Sequence, residues 1–205
     1  CAGVSGLEIH AFLWDVTAFG DVELVAPLVC GVATALWLAG QKRDAKVFFG
    51  AFLVCLAAIV AAKLILMVAW RGGPLRSPSG HSAISAYFYG SIGFLLLASS
   101  EMLLARAAAV ASGALALAIA ISRFEIGGHS RSETLVGFAI GAACAFGLSR
   151  RVTRVNWPGL GPAALACVAG IVVTGALHWL LAPGYVDEET IWALARWLRG
   201  FLRAA

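Results

Sequence analysis

Two short stretches set histidines, an arginine and a carboxylate at the ends of long apolar runs: Pro78-Ser79-Gly80-His81, and Ser122-Arg123 followed by His129 and Glu133. An ionisable side chain at the edge of a membrane span is costly to keep and is a functional candidate by default. His129 and Glu133 are four apart, so on a helix opening near Ser130 they share a face. There the carboxylate can hold one ring nitrogen and leave the other to act as nucleophile or base. Arg123 offers a planar fork of donors suited to phosphate oxygens. In the other stretch, proline and serine suit the first turn of a helix and Gly80 lets a ligand approach the backbone. The N–H groups of that turn, with the helix dipole, favour an anion. Lys63, inside an apolar run and followed by Arg71 and Arg76, can bring positive charge to the same place. Each residue alone reads as plainly as a helix cap, an interfacial anchor or an ordinary ion pair. Together they describe a phosphate seat with two histidines beside it.

The elements that must position these groups follow from composition. The chain has 205 residues, 61% of them hydrophobic and 13% charged, with a mean hydropathy of +0.89, which marks an integral membrane protein. Backbone groups in lipid must pair internally, and the period-two alternation of a closed barrel is absent, so the fold class is all-α and polytopic. Six spans are expected: Val22 to Ala39, Val47 to Trp70, Ser79 to Ser99, Ala107 to Ser122, Ser130 to Ser149, and Pro162 to Ala182. They form one domain over residues 1–205. Trp37 and Trp157 fall at one set of span ends and Trp70 and Trp179 at the other, as interfacial belts do. Cys30, Cys55, Cys144 and Cys167 sit inside apolar runs as small hydrophobes, so no disulfide framework is expected. Cys1 stands where a start methionine would be, as in a trimmed, tagged or processed chain, a lipidated terminal cysteine being one such form.

An even number of spans puts both termini on one side. The other side carries Lys42, Arg43, Lys46, Arg106, Arg150, Arg151 and Arg154 in short loops, while the N-terminal stretch carries Glu8, Asp15, Asp21 and Glu23. The positive-inside rule makes the basic side cytoplasmic, and both histidine motifs then face the periplasm or exterior of a bacterial inner membrane. Residues 1–21 and 184–205 are expected at the interface. In the latter, Ile191, Leu194, Leu198, Phe201 and Leu202 oppose Arg196, Arg199 and Arg203, the pattern of an amphipathic helix lying on anionic lipid or packed on the bundle. Gly137 and Gly141 form a small-xxx-small pattern suited to close helix packing. His10 and His178 read as interfacial histidines, and Glu125 and Arg131 as groups flanking the site.

The set of motifs resembles the type 2 phosphatidic acid phosphatase superfamily, PAP2, whose patterns are Lys-x6-Arg-Pro, Pro-Ser-Gly-His and Ser-Arg-x5-His-x3-Asp. The second is matched in full by Pro78 to His81, and the third by Ser122, Arg123 and His129 with Glu133 in place of aspartate. The first is degraded: Lys63 is followed by Arg71 one position late and without proline, with Arg71 the first choice for that arginine and Arg76 the second. What the resemblance implies is hydrolysis of a phosphomonoester or pyrophosphate on a lipid headgroup through a phosphohistidine. His129, held by Glu133, would attack phosphorus, and His81 would protonate the departing oxygen. Lys63, Arg71 or Arg76, Arg123 and the backbone of Ser79 and Gly80 would hold the phosphate. An aspartate at 133 would be expected to serve equally. Neither metal nor cofactor is implied, and the expected partners are a lipid phosphate or pyrophosphate and membrane lipids, with no nucleic acid. The same fold could instead serve a non-catalytic lipid-phosphate binder or transporter, or a lipid phosphotransferase.

Overall fold

The computed structural model describes residues 6–69, 75–99, 103–152, 155 and 188–204. Their regular elements are helices, in the order α1 (Gly6–Ala18), α2 (Val22–Leu38), α3 (Lys42–Ala69), α4 (Gly80–Ser99), α5 (Leu103–Glu125), α6 (Arg131–Ser149) and α7 (Glu188–Ala204). Among the described residues five stretches are long and apolar enough to cross a membrane: Glu8–Leu38, which holds most of α1 and all of α2, and then α3, α4, α5 and α6. The chain is thus an all-α polytopic membrane protein. The expected sixth span, with Trp157, Cys167, His178 and Trp179, lies outside the described residues, as do Trp70, Arg71 and Arg154.

Helix ends follow local chemistry. α2 closes at Gly40, whose φ of 79° belongs to the left-handed region that glycine enters freely, and Gln41 N–H reaches back to the Leu36 carbonyl at 2.9 Å. α6 opens with a capping box in which Ser130 Oγ accepts the Glu133 N–H and Glu133 accepts the Ser130 N–H.

The bundle is assembled around α4, which packs on α5 and α6 most extensively. Small residues make this possible. A Cβ placed on Gly141 would lie 2.0 Å from the Ala83 carbonyl oxygen, and one on Gly137 would lie 2.2 Å from the Ser79 carbonyl oxygen, so α6 and α4 touch backbone to backbone. Such close approach in lipid gains dispersion that two large side chains would prevent. The core collects Val25, Val29 and Leu36 of α2, Phe48, Phe52 and Cys55 of α3, Tyr87 and Leu95 of α4, Ile119 of α5 and Leu148 of α6. Tyr87 donates its hydroxyl to the Phe48 carbonyl, and Tyr89 donates to the Phe19 carbonyl at 2.9 Å, tying α4 to α3 and to the α1–α2 corner. Leu103, Leu104, Val110, Leu117 and Ile121 of α5 and Val54 and Ile65 of α3 point outward, the pattern of a surface whose solvent is lipid. In α7, Ile191 and Ala195 pack against Met67 of α3, while Leu194, Trp197 and Phe201 remain exposed.

Candidate functional site

The end of α3, the loop of residues 75–79, the turn from α5 to α6 and the α1–α2 corner meet at one end of the bundle. Glu133 is the junction. Oε1 accepts the backbone N–H of Arg76 at 2.9 Å and of Ser77 at 2.8 Å, and Oε2 accepts the Ser130 N–H at 3.0 Å. Oε2 also faces His129 Nδ1 at 3.5 Å. Every partner is a donor or can be one, which suits an ionised carboxylate, acceptor on both oxygens. Its main-chain carbonyl takes the Ser79 N–H at 3.0 Å. One residue therefore braces the loop before Pro78, the start of α6 and the imidazole of His129.

His129 is placed from both sides. Gly127, at φ 76°, turns the chain out of α5, and His129 N–H returns to the Arg123 carbonyl at 3.1 Å. The Arg123 guanidinium lies over Gly128, where a Cβ would come within 3.0 Å of Nη2, and Nη1 donates to Thr17 Oγ1 at 3.4 Å. Neither Gly128 nor Thr17 carries a sequence signal beyond its type. Ser122 is fully buried and donates its hydroxyl to Ile119 within α5, so this motif serine serves the helix.

Lys63 is only 8% exposed and gives its ammonium to Ser77 Oγ at 2.7 Å. It ends at the loop that Glu133 holds. Arg76 contributes its backbone N–H to Glu133 while its side chain is exposed. Arg71, the first choice for the degraded motif, lies outside the described residues.

The Pro78 to His81 stretch is buried up to Ser79 and opens α4 at Gly80. One expectation needs correction: the Ser79 N–H is spent on the Glu133 carbonyl, and Ser79 Oγ bonds the Ser82 N–H and hydroxyl at 3.3 and 3.0 Å. Ser79 therefore fixes the turn. The open donors of this helix start are the N–H groups of Gly80 and His81, since the Ala83 N–H already bonds the Ser79 carbonyl.

His81 has a partner that its motif does not announce. Its Nε2 meets Asp21 Oδ1 across the bundle in a short contact. Asp21 is the N-cap residue of α2 yet makes no side-chain capping bond; the carboxylate goes to the imidazole instead. Gly20 lets this corner close, because a Cβ there would sit 3.4 Å from His81 Cβ and 2.7 Å from an Ile119 methyl. In the sequence Asp21 reads only as one acid of an acidic stretch. The α1–α2 corner thus touches both Arg123, through Thr17, and His81, through Asp21. Arg131 rests its guanidinium 5.6 Å from the Phe124 ring centroid, and Glu125 is exposed. Among the described residues there is no group of three or more His, Cys, Asp or Glu side chains arranged to share a metal ion.

The fold and the placement of these residues define a polytopic helical membrane protein with two histidines, each beside a carboxylate, and with Lys63 and Arg123 at one end. Residues 67–157 match the PAP2 superfamily, and this stretch holds the loop of residues 75–79, α4, α5 and α6. The chain is also similar to a Klebsiella pneumoniae protein described as "Uncharacterized 22.5 kDa protein in cps region", at 30% identity over 132 residues, which is 62% of this chain. It spans 63% of the length of that relative. No solved structure gives a significant match.

Proposed function

We propose that this protein is an integral membrane phosphatase acting on a phosphomonoester or pyrophosphate of a lipid headgroup, at the extracytoplasmic side, with His129 as the nucleophile. The observation that carries the reading is the Glu133 carboxylate, which backs Nδ1 of His129 and in the same position grips the loop leading into Pro78 to His81. With Nδ1 toward the carboxylate, Nε2 is the nitrogen for in-line attack on phosphorus, forming a phosphohistidine as the lipid-borne oxygen departs. His81 would give that oxygen its proton, then take one from the water that cleaves the N–P bond. Asp21 holds the His81 ring through Nε2, so in catalysis either the substrate oxygen displaces this carboxylate or the ring works from Nδ1. Lys63, Arg123, Arg76 or Arg71, and the N–H groups of Gly80 and His81 would supply the charge and donors for the equatorial oxygens, where most of the catalytic effect in phosphoryl transfer arises. The match of residues 67–157 to the PAP2 superfamily supports the class of reaction, and the basic residues at the opposite end support the orientation.

The test is phosphate release by the purified protein from a panel of lipid phosphates and pyrophosphates, with trapping of labelled enzyme in an alkaline detergent quench. Wild type should release phosphate and carry an acid-labile label; His129→Ala should do neither. Substrate retention without release would instead identify a binder, and label passing to a second lipid would identify a transferase.

A further inference from the structure

A second feature lies at the opposite end of α3 and α6, about 20 Å along α3 from Lys63 by helical rise. There a groove of about 630 Å³ is lined by Val47, Gly50, Ala51, Val54, Cys144 and Leu148, with Lys46 and Arg151 among its residues. Its walls are apolar and small, and its cations come one from α3 and one from the turn that follows α6. Among the described residues neither cation has a carboxylate partner. Lys46 stands 5.8 Å from the centroid of the exposed Trp37 ring, with Lys42 on the same ring at 5.5 Å. A tryptophan with lysines about it is the signature of headgroup depth, so the mouth of the groove meets the polar layer while its walls run into hydrocarbon.

We propose that this groove binds one anionic glycerophospholipid, an acyl chain lying between α3 and α6 and the phosphodiester held between Lys46 and Arg151. The argument is charge complementarity at a fixed depth. Any lipid tail can fill an apolar cleft in a bilayer, but two cations at its mouth with no carboxylate partner among the described residues select a headgroup with net negative charge. The glycines keep the space open: a Cβ on Gly50 or Gly147 would meet no atom within 4 Å. This site is independent of the phosphatase reading, since none of its lining residues belongs to the histidine end.

The full chain in nanodiscs of mixed phosphatidylglycerol and phosphatidylcholine tests it, with spin-labelled forms of each lipid reporting the immobilised fraction. Wild type should immobilise the anionic lipid preferentially. At the usual value of a basic residue near an anionic surface, each cation contributes a preference of roughly 5-fold, so Lys46→Gln with Arg151→Gln should abolish most of it. Gly147→Leu, which projects into empty space, should displace the bound lipid while leaving the bundle intact by thermal unfolding. Arg43→Gln removes a neighbouring cation that does not line the groove and should leave the preference unchanged. Equal immobilisation of both lipids by wild type, an unchanged preference in the double variant, full binding in Gly147→Leu, or an equal loss with Arg43→Gln would each overturn the proposal.

Discussion

Gly137→Ala adds one methyl group at the point where α6 crosses the loop into α4. The new carbon would stand 2.2 Å from the Ser79 carbonyl oxygen and 3.1 Å from both Ser79 N and Ser79 C. Ordinary contact needs about 3.4 Å, so roughly 1.2 Å must be recovered, and backbone on both sides leaves no flexible side chain to yield. Replacing glycine with alanine inside a helix contributes about 1 kcal/mol of propensity. Overpacking of this kind costs ~1–3 kcal/mol or more, so net destabilisation is expected. The functional effect should be larger. Glu133 lies one turn before Gly137 on the same face, and its carbonyl holds the Ser79 N–H at 3.0 Å. Pushing Ser79 away stretches that bond and moves Gly80 and His81 relative to His129. A displacement of about 1 Å at a reacting constellation costs on the order of 100-fold in rate. The assay is phosphate release beside thermal unfolding in detergent, with Gly113→Ala as control, because a Cβ on Gly113 meets nothing within 4 Å. Gly113→Ala should keep its rate and gain slightly in stability. A Gly137→Ala variant as stable as wild type and within twofold of its rate would refute the close-packing argument.

Two further substitutions probe the carboxylates. Glu133→Asp restores the residue of the PAP2 pattern, yet shortening the arm by one methylene withdraws Oε1 by about 1.5 Å from the Arg76 and Ser77 N–H groups it now holds at 2.9 and 2.8 Å. Losing even one hydrogen bond to a charged group is worth ~1.5–3 kcal/mol, so the rate of phosphate release should fall ~10-fold or more, against the equal service expected from the motif alone. An undiminished rate would show that His129 is the only essential contact of Glu133. Asp21→Asn keeps the size of the side chain but removes its charge beside His81; for this half-exposed carboxylate the lower end of that range applies, about tenfold in kcat. The loss should appear in kcat with KM little changed, and a pure KM effect would place Asp21 in substrate binding instead.

The spans that fall on the described residues were legible in the sequence because the signal is local: an apolar run of sufficient length must form its own backbone hydrogen bonds in lipid, and the ends of α2 and α4 fall within a residue of where the apolar pattern stops. The pairing of His129 with Glu133 was legible for the same reason, since four residues on a helix define one face. So was the backbone contact at Gly137 and Gly141, as a spacing of small residues. The other partners of Glu133 were not. Two of them are the backbone N–H groups of Arg76 and Ser77, more than fifty positions away, and a main-chain donor has no side-chain signature to read. Asp21 and His81 are sixty apart and meet only because α1 and α2 turn at Gly20 against α4 and α5. The groove with Lys46 and Arg151 likewise brings together residues about a hundred positions apart, from α3 and from the end of α6 and the turn after it, which neither segment encodes alone. Local periodicity in this protein determines which segments are helices and which residues share a face; the packing of small residues between helices decides which faces meet, and with them which charged groups become partners.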